Sequence, residues 1–313
     1  AVELLEEQIA KAGPSAQALH LLGRALHRMA RAEMEGRKKD GLAIQGYLDE
    51  AATHLRKAIE LEGGRIEAHL QLLEVELLRG EPGALGRAAL ALAGRLAEQA
   101  KTLDPALRNR AEAMAGHCLY TEYARQKAAE AGTEEKADEK LAEAAAALLG
   151  RCLESAVAGK GALQGVSSPQ VVATDLALLW QWRGKSAEAV KALARWAGAA
   201  GPDTAILSGL LNAGRNGAQV EAAAAFAALL EKHKDDPTLH WFHGAALCEA
   251  GDEQRRLGEN EAADKLYDRS MAAMRKVIEM QPGFTENSKT YLVRALSGKG
   301  YVARTLKKLE EAE

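Results

Sequence analysis

One amphipathic segment of this chain returns in altered form. Tyr47-Leu-Asp-Glu-Ala-Ala-Thr-His-Leu-Arg-Lys-Ala-Ile-Glu-Leu-Glu62 reads as a helix that ends at Gly63-Gly64. A related phrase runs Met274-Arg-Lys-Val-Ile-Glu-Met-Gln-Pro282-Gly283. Shorter relatives lie at Lys185-Ser-Ala-Glu-Ala-Val-Lys-Ala-Leu193 and Glu98-Gln-Ala-Lys-Thr-Leu-Asp-Pro105. A helix with one apolar face needs a neighbour to cover it, and recurring helix pairs solve this by stacking on one another. The expectation is an all-α chain, an α-solenoid whose units present a long binding surface.

Composition agrees. Hydrophobic residues make up 47% of the 313 residues while aromatic residues make up only 4%. Ala and Leu dominate, both good helix formers, and Ala permits close helix packing. All seven prolines fall at apparent helix boundaries: Pro14, Pro82, Pro105, Pro169, Pro202, Pro237 and Pro282. Proline suits a first turn and breaks a helix interior. From Pro169 to Pro202 and from Pro202 to Pro237 the intervals are 33 and 35 residues, a two-helix repeat of about 34.

The punctuation predicts a lead-in helix over 2–12, then six pairs. They are 15–38 with 45–62, 65–79 with 83–103, 106–131 with 134–158, 169–183 with 186–199, 203–213 with 218–234, and 237–257 with 259–281. One or two closing helices cover 285–309. Ser168, Ser186 and Asp236 are expected N-caps. Gly80, Gly132, Gly184, Gly214 and Gly251 are expected in left-handed C-terminal positions. The Gly-rich stretch 159–168 is the one candidate linker. The expectation is a single domain over 1–313, with sub-arrays 1–158 and 169–313 as the alternative.

At this point the chain resembles the tetratricopeptide repeat family. Leu22-Gly23, Ala51, Ala58 and Gly63 fill the family's signature places in the first pair, with Gly where Pro is usual. The fourth pair offers Gly184, Ala189 and Pro202, with Trp196 in place of the second Ala. The sixth offers Gly244, Gly251 and Pro282, with Val277 where Ala is expected. The resemblance spans about 15–297 in degenerate form, with several helices lengthened. It implies a right-handed superhelix of about six hairpins plus terminal capping helices. It also implies a scaffold for a protein or peptide partner, held on the surface that first helices line.

Carried onto the first pair, the groove positions are His20, Arg24, His27 and Arg28, with Arg31 extending the row. His20, Arg24, His27 and Arg31 are spaced four, three and four, so they share a helix face. Such a basic stripe suits acidic side chains or a C-terminal carboxylate. The same mapping adds His117, Tyr120, Gln181, Trp182 and Trp241. Of the four Trp residues, Trp180 and Trp182 cannot share one face, so one of them is expected to pack inward.

Catalytic signatures are weak. Gly184-Lys185-Ser186 resembles the end of a phosphate loop, but Leu179 stands where its first Gly belongs. His240 and His243 are one turn apart without an HExxH or CxxC companion, so no metal or other cofactor is expected. Paired acids such as Glu134-Glu135, Asp138-Glu139 and Glu310-Glu311 interleave with Lys and read as solvated faces. Cys118, Cys152 and Cys248 are odd in number and widely spaced, which opposes a disulfide framework.

Net charge is −3, from 41 basic and 44 acidic residues, which gives no general drive toward nucleic acid or anionic lipid. No apolar run reaches the roughly 18 residues that membrane insertion needs. The expectation is therefore a non-enzymatic scaffold, bacterial in composition and cytoplasmic, with a monomer favoured over self-association because the last helix is polar. Ala1 in place of Met reads as a trimmed start, which leaves an exported location open. It also motivates a second expectation, a regulatory or sensor region of a larger enzyme such as a kinase. A small-ligand site inside the array is a third, with only His240 and His243 to suggest it.

Overall fold

A computed structural model of the chain describes residues 1–36, 39–99, 101–130, 136–159 and 168–310, with side chains as far as 307. The described residues contain helices and no strand. In chain order these are α1 (Val2–Ala12), α2 (Ala16–Glu35), α3 (Gly41–Leu61), α4 (Ile66–Arg79), α5 (Ala84–Glu98), α6 (Pro105–Glu130) and α7 (Glu139–Val157). They continue as α8 (Pro169–Trp182), α9 (Ser186–Ala200), α10 (Thr204–Arg215), α11 (Gln219–Lys232), α12 (Pro237–Arg256), α13 (Asn260–Met280) and α14 (Thr285–Glu310). A short 3₁₀ turn, Pro282–Phe284, precedes α14. The closing segment is thus one helix. None of the described helices is long and apolar enough to cross a membrane.

Side-chain caps set seven of the fourteen described helix starts. The side chains of Ser15, Asp40, Asp138, Asp203 and Asp236 accept backbone N–H groups of the following turn. Asp104 does the same ahead of Pro105, and Ser168 ahead of Pro169. Each satisfies donors that a helix start leaves orphaned. Ser186 departs from expectation. It lies inside the first turn of α9, and its Oγ donates to the Asn216 carbonyl oxygen at 2.7 Å, tying α9 to the loop after α10.

Gly80 and Gly184 adopt the expected left-handed conformation, with φ of 66° and 68°. Gly214 and Gly251 do not. Both sit within helices, where the missing side chain lets a neighbour approach. Gly132, most of the Gly-rich stretch and the pair Glu134-Glu135 lie outside the described residues.

The chain divides into two compact units, 1–172 and 173–313. The division falls inside α8. In the first unit each helix from α1 to α7 packs on its sequence neighbour. Contacts between α2 and α4, α4 and α6, and α5 and α7 show that first helices stack on first helices and second on second. The second unit repeats this from α9 to α14, with α9 on α11, α10 on α12 and α12 on α14. Stacked hairpins of this kind make each unit an α-solenoid array.

The signature positions explain the pairing. Leu22 and Ala51 are fully buried in the α2–α3 core with Leu26, Leu48 and Leu55, and Ala58 is fully buried farther along α3. A β-carbon at Gly23 would stand 2.7 Å from Leu55 Cγ, so α3 packs directly on the α2 backbone. The same device recurs where Gly116 of α6 faces Leu149 of α7 and Gly244 of α12 faces Met274 of α13. Each fully buried Leu contributes about 1.5–3 kcal/mol relative to exposure. At the N-terminus, α1 lays Val2, Leu5 and Ile9 on this core. At the other end, α14 covers α12 and α13 but leaves Val293, Leu296 and Tyr301 exposed, so its outer face is less polar than its charge pattern suggests.

Candidate binding site

Helix α2 buries Leu19, Leu22, Leu26 and Ala30 against its partners. Its next face carries His20, Arg24, His27 and Arg31 toward α4. There Glu67, Gln71, Glu74 and Leu78 have the same four-three-four spacing. Helix α6 contributes Arg110 and Met114. A cavity of about 350 Å³ opens between these first helices, lined by His20, Arg24, His27, Arg28, Arg31, Glu67, Leu70, Gln71, Glu74 and Arg110. A second, of about 340 Å³, continues it along α2 over Met34, Leu77, Leu78 and Met114, sharing His27, Arg31 and Glu74. One side of the site is thus charged and the other apolar.

His27 is the pivot between them. It is only 3% exposed. Gln71 Nε2 donates to its Nδ1, and also to Glu74 Oε2 at 3.1 Å. The carboxylate fixes which way the Gln71 amide points, since a flipped amide would set oxygen against oxygen. With Nδ1 accepting, the neutral ring holds its proton on Nε2, and that nitrogen is buried with no partner among the described residues. Burial lowers the pKa of His27 and Arg31 adds to the effect, although Glu74 at 3.9 Å from Nδ1 opposes it. Burial lowers His20 as well, helped by Arg65 and Arg24. Both rings therefore disfavour the charged form.

The cations are unevenly matched. Arg110 reaches Glu74 Oε1 at 3.5 Å. Arg24, Arg28 and Arg31 are exposed and make no ion pair among the described residues. Behind the site, buried Glu76 joins Arg56 and Arg79, and Arg79 goes on to Asp49 and Glu81 at 2.8 Å each. That cluster is internally satisfied and clamps α3 to α4.

The five α2 residues named from sequence come together on one cavity; the other five do not join them. His117 and Tyr120 lie farther along α6, half-buried, and line neither cavity. Gln181, Trp182 and Trp241 belong to the second unit. Gln181 accepts from Asn216 Nδ2 at 3.2 Å, and Trp182 is 42% exposed. Trp241 packs edge-on to Phe242 and Tyr291 and is half-buried, which makes it a packing residue. Trp180 turns inward relative to Trp182 and lies under Arg183 and Lys185.

These pairs are tetratricopeptide-like. No protein-family model matches the chain, and no curated protein does either. Among solved structures, a tetratricopeptide repeat protein from Parabacteroides merdae is 13% identical over 88% of this chain and 98% of that one, with a TM-score of 0.36. The TPR2AB domain of yeast Sti1, solved in complex with pHSP90, is 17% identical over 88% and 98%, with a TM-score of 0.25. Human IFIT1, solved as a dimer with m7Gppp-AAAA, is 16% identical over 92% and 72%, with a TM-score of 0.31. At such scores the assignment rests on the chain's own helix pairs and their Leu-Gly and Ala contacts.

Sequence reasoning missed the α4 and α6 walls. The signal was present: Glu67, Gln71, Glu74 and Leu78 repeat the spacing of the α2 stripe one unit later, and Arg110 and Met114 begin it again. The second unit has a comparable cavity of about 420 Å³ between α10, α12 and α14, lined by Arg215, Gln219, Glu249, Asp252, Arg255, Arg256 and Arg294. Its charges largely answer one another. Arg215 forks onto Glu249 at 2.8–3.0 Å, and Arg294 holds Asp252 at 2.6 Å.

The remaining reactive side chains are engaged in packing. His240 Nε2 donates to the Lys234 carbonyl oxygen at 2.8 Å, tying α12 to the turn before it. The three thiols are buried, and burial pushes Cys152 and Cys248 up to about 12, so both stay protonated. The described residues hold no group of three or more His, Cys, Asp and Glu side chains placed for a metal ion.

Proposed function

We propose that this chain is a non-enzymatic interaction array that holds an acidic segment of a protein or peptide partner between α2, α4 and α6. The observation that carries this reading is the row Arg24, Arg28 and Arg31, exposed, beside a cavity, and without ion pairs among the described residues. Like charges at successive turns of one helix repel by a few tenths of a kcal/mol per pair. An arriving carboxylate relieves that repulsion and gains charge-assisted hydrogen bonds. The apolar extension over Met34, Leu77, Leu78 and Met114 supplies the burial that long-range charge lacks, since electrostatics mainly steer and select.

The test is a paired reversal, Arg24→Glu with Arg31→Glu, in the full chain. Both residues are exposed and outside the core, so the thermal midpoint should stay within a few degrees of the native value. A binding partner identified with the native chain should lose at least about tenfold in affinity, as expected when interface charges are reversed. Undiminished affinity in the folded variant would remove the α2 stripe from the interface.

A further inference from the structure

The charge balance of the cavity says more about its occupant. In the charged cavity four guanidinium groups, Arg24, Arg28, Arg31 and Arg110, face two carboxylates, Glu67 and Glu74, a local surplus of two positive charges; Glu35 stands beyond Arg31 on the adjoining cavity. A single carboxylate would answer half of it. A phosphomonoester carries about −1.5 to −2 near neutral pH and offers three strong acceptor oxygens. That matches the surplus and gives each of the three unpaired arginines an acceptor. Along α2 these residues are separated by roughly 6 and 4.5 Å of helical rise. One tetrahedral group beside Arg28 lies within side-chain reach of both others.

A second observation points the same way. The Nε2–H of His27 is buried and has no acceptor among the described residues, while its ring lines both cavities. A buried donor without a partner is destabilising. Negative charge arriving beside the ring lowers that cost. The cavity between α10, α12 and α14 also sets four arginines against two carboxylates, but there Arg215 and Arg294 are already paired with Glu249 and Asp252.

The adjoining surface selects the class of molecule. Met34, Leu77, Leu78 and Met114 continue directly from Arg31 and His27, with Glu35 at their edge, and offer an apolar group beside the anion a surface to cover. Nucleic-acid bases stack on aromatic rings in most single-strand sites. None of the described residues lining either cavity is Phe, Tyr or Trp.

We infer that the site binds a phosphorylated segment of a protein partner, with the phosphoryl group at Arg24, Arg28 and Arg31 and an adjacent large apolar side chain on Met34, Leu77, Leu78 and Met114. This deepens the proposed peptide-binding function and rests on it.

The experiment passes three degenerate peptide libraries over the immobilised full chain. They differ only in a fixed central residue: phosphoserine, glutamate or serine. The phosphoserine library should be retained about tenfold more than the glutamate library, a difference of about 1.4 kcal/mol. The retained peptides should be enriched in Leu, Ile, Met or Phe next to the phosphoserine. Arg28→Glu, checked for folding by circular dichroism, should abolish the difference. Equal retention of the glutamate library would overturn the phosphoryl assignment and leave the acidic-peptide reading standing. Phosphoserine retention without apolar enrichment would overturn the role given to Met34, Leu77, Leu78 and Met114. A 5′-phosphorylated oligoribonucleotide that competes at lower concentration than the phosphopeptides would reassign the site to nucleic acid. Retention of none of the libraries would overturn both this inference and the function on which it rests.

Discussion

The ring of Tyr267 lies against the backbone of Gly251, where a β-carbon would stand 2.8 Å from Cε1. Gly298 of α14 meets the same ring from the other side. Tyr267 is thus held between α12 and α14, with its hydroxyl donating to Asp252 Oδ1 at 2.6 Å. Neither glycine is there for a left-handed turn; each makes room for the Tyr267 side chain of α13.

Gly298→Ala should therefore destabilise the second unit by about 1–3 kcal/mol, the usual cost of overpacking. Gly300→Ala is the control. It lies in the same helix with open space around its Cα, so the gain in helix propensity should leave stability unchanged or raised by about 0.5–1 kcal/mol. Urea unfolding of both variants decides; equal effects of one sign would mean that the Tyr267 contact does not govern the packing of α14.

Acid should loosen the second unit through His243. Burial, reinforced by Arg269 and His240, pushes its pKa down from 6.5 to about 4. The folded state therefore binds this proton less readily than the unfolded chain does. The stability it confers is complete above pH 6.5 and declines as pH falls toward 4, by about 3 kcal/mol at most. His243→Gln should flatten that part of the stability curve. Thermal midpoints measured from pH 7.5 to 4 in both proteins would show it, and parallel curves would contradict it.

In the first unit, Glu76 is 1% exposed and holds Arg56 and Arg79 together. Glu76→Ala leaves Arg79 half-paired near the core and should cost on the order of 2–4 kcal/mol. Because Glu76 points away from the cavity, a ligand that still finds folded protein should bind with unchanged affinity. A stability loss below about 0.5 kcal/mol would place the cluster among ordinary surface ion pairs.

His27 should be neutral at pH 7 and protonated on Nε2. Long-range ¹H–¹⁵N spectra distinguish the two neutral tautomers directly. Gln71→Met removes the donor to Nδ1 and frees that nitrogen to take a proton facing Glu74. The His27 pKa should then rise toward or above its ordinary value. A native spectrum showing the Nδ1-protonated tautomer would contradict the hydrogen-bond assignment.

Much of the fold was legible because it is local. Asp236 and Ser168 announce helix starts, Gly80 and Gly184 announce ends, and the proline intervals give the repeat length. The errors share one cause. Local patterning reads Gly214, Gly251 and Ser186 as turn or cap residues, whereas Gly214 and Gly251 admit side chains of the following helix and Ser186 donates to the loop after α10. The same glycine can end a helix or admit a neighbour, and only the neighbour tells which.

The candidate site divides in the same way. The α2 stripe follows from helical geometry alone, because residues four, three and four apart share a face whatever surrounds them. That His20, Arg24, His27, Arg28 and Arg31 border a cavity, and that Glu67, Gln71, Glu74 and Arg110 complete it, depends on how α4 and α6 stack beside α2. Sequence by itself determined the helices, their pairing and the basic face. Tertiary structure decided which arginines keep their charge unanswered and that His27 loses its acceptor. Those properties depend on distances between side chains far apart in the chain, and such distances arise only when the helices pack.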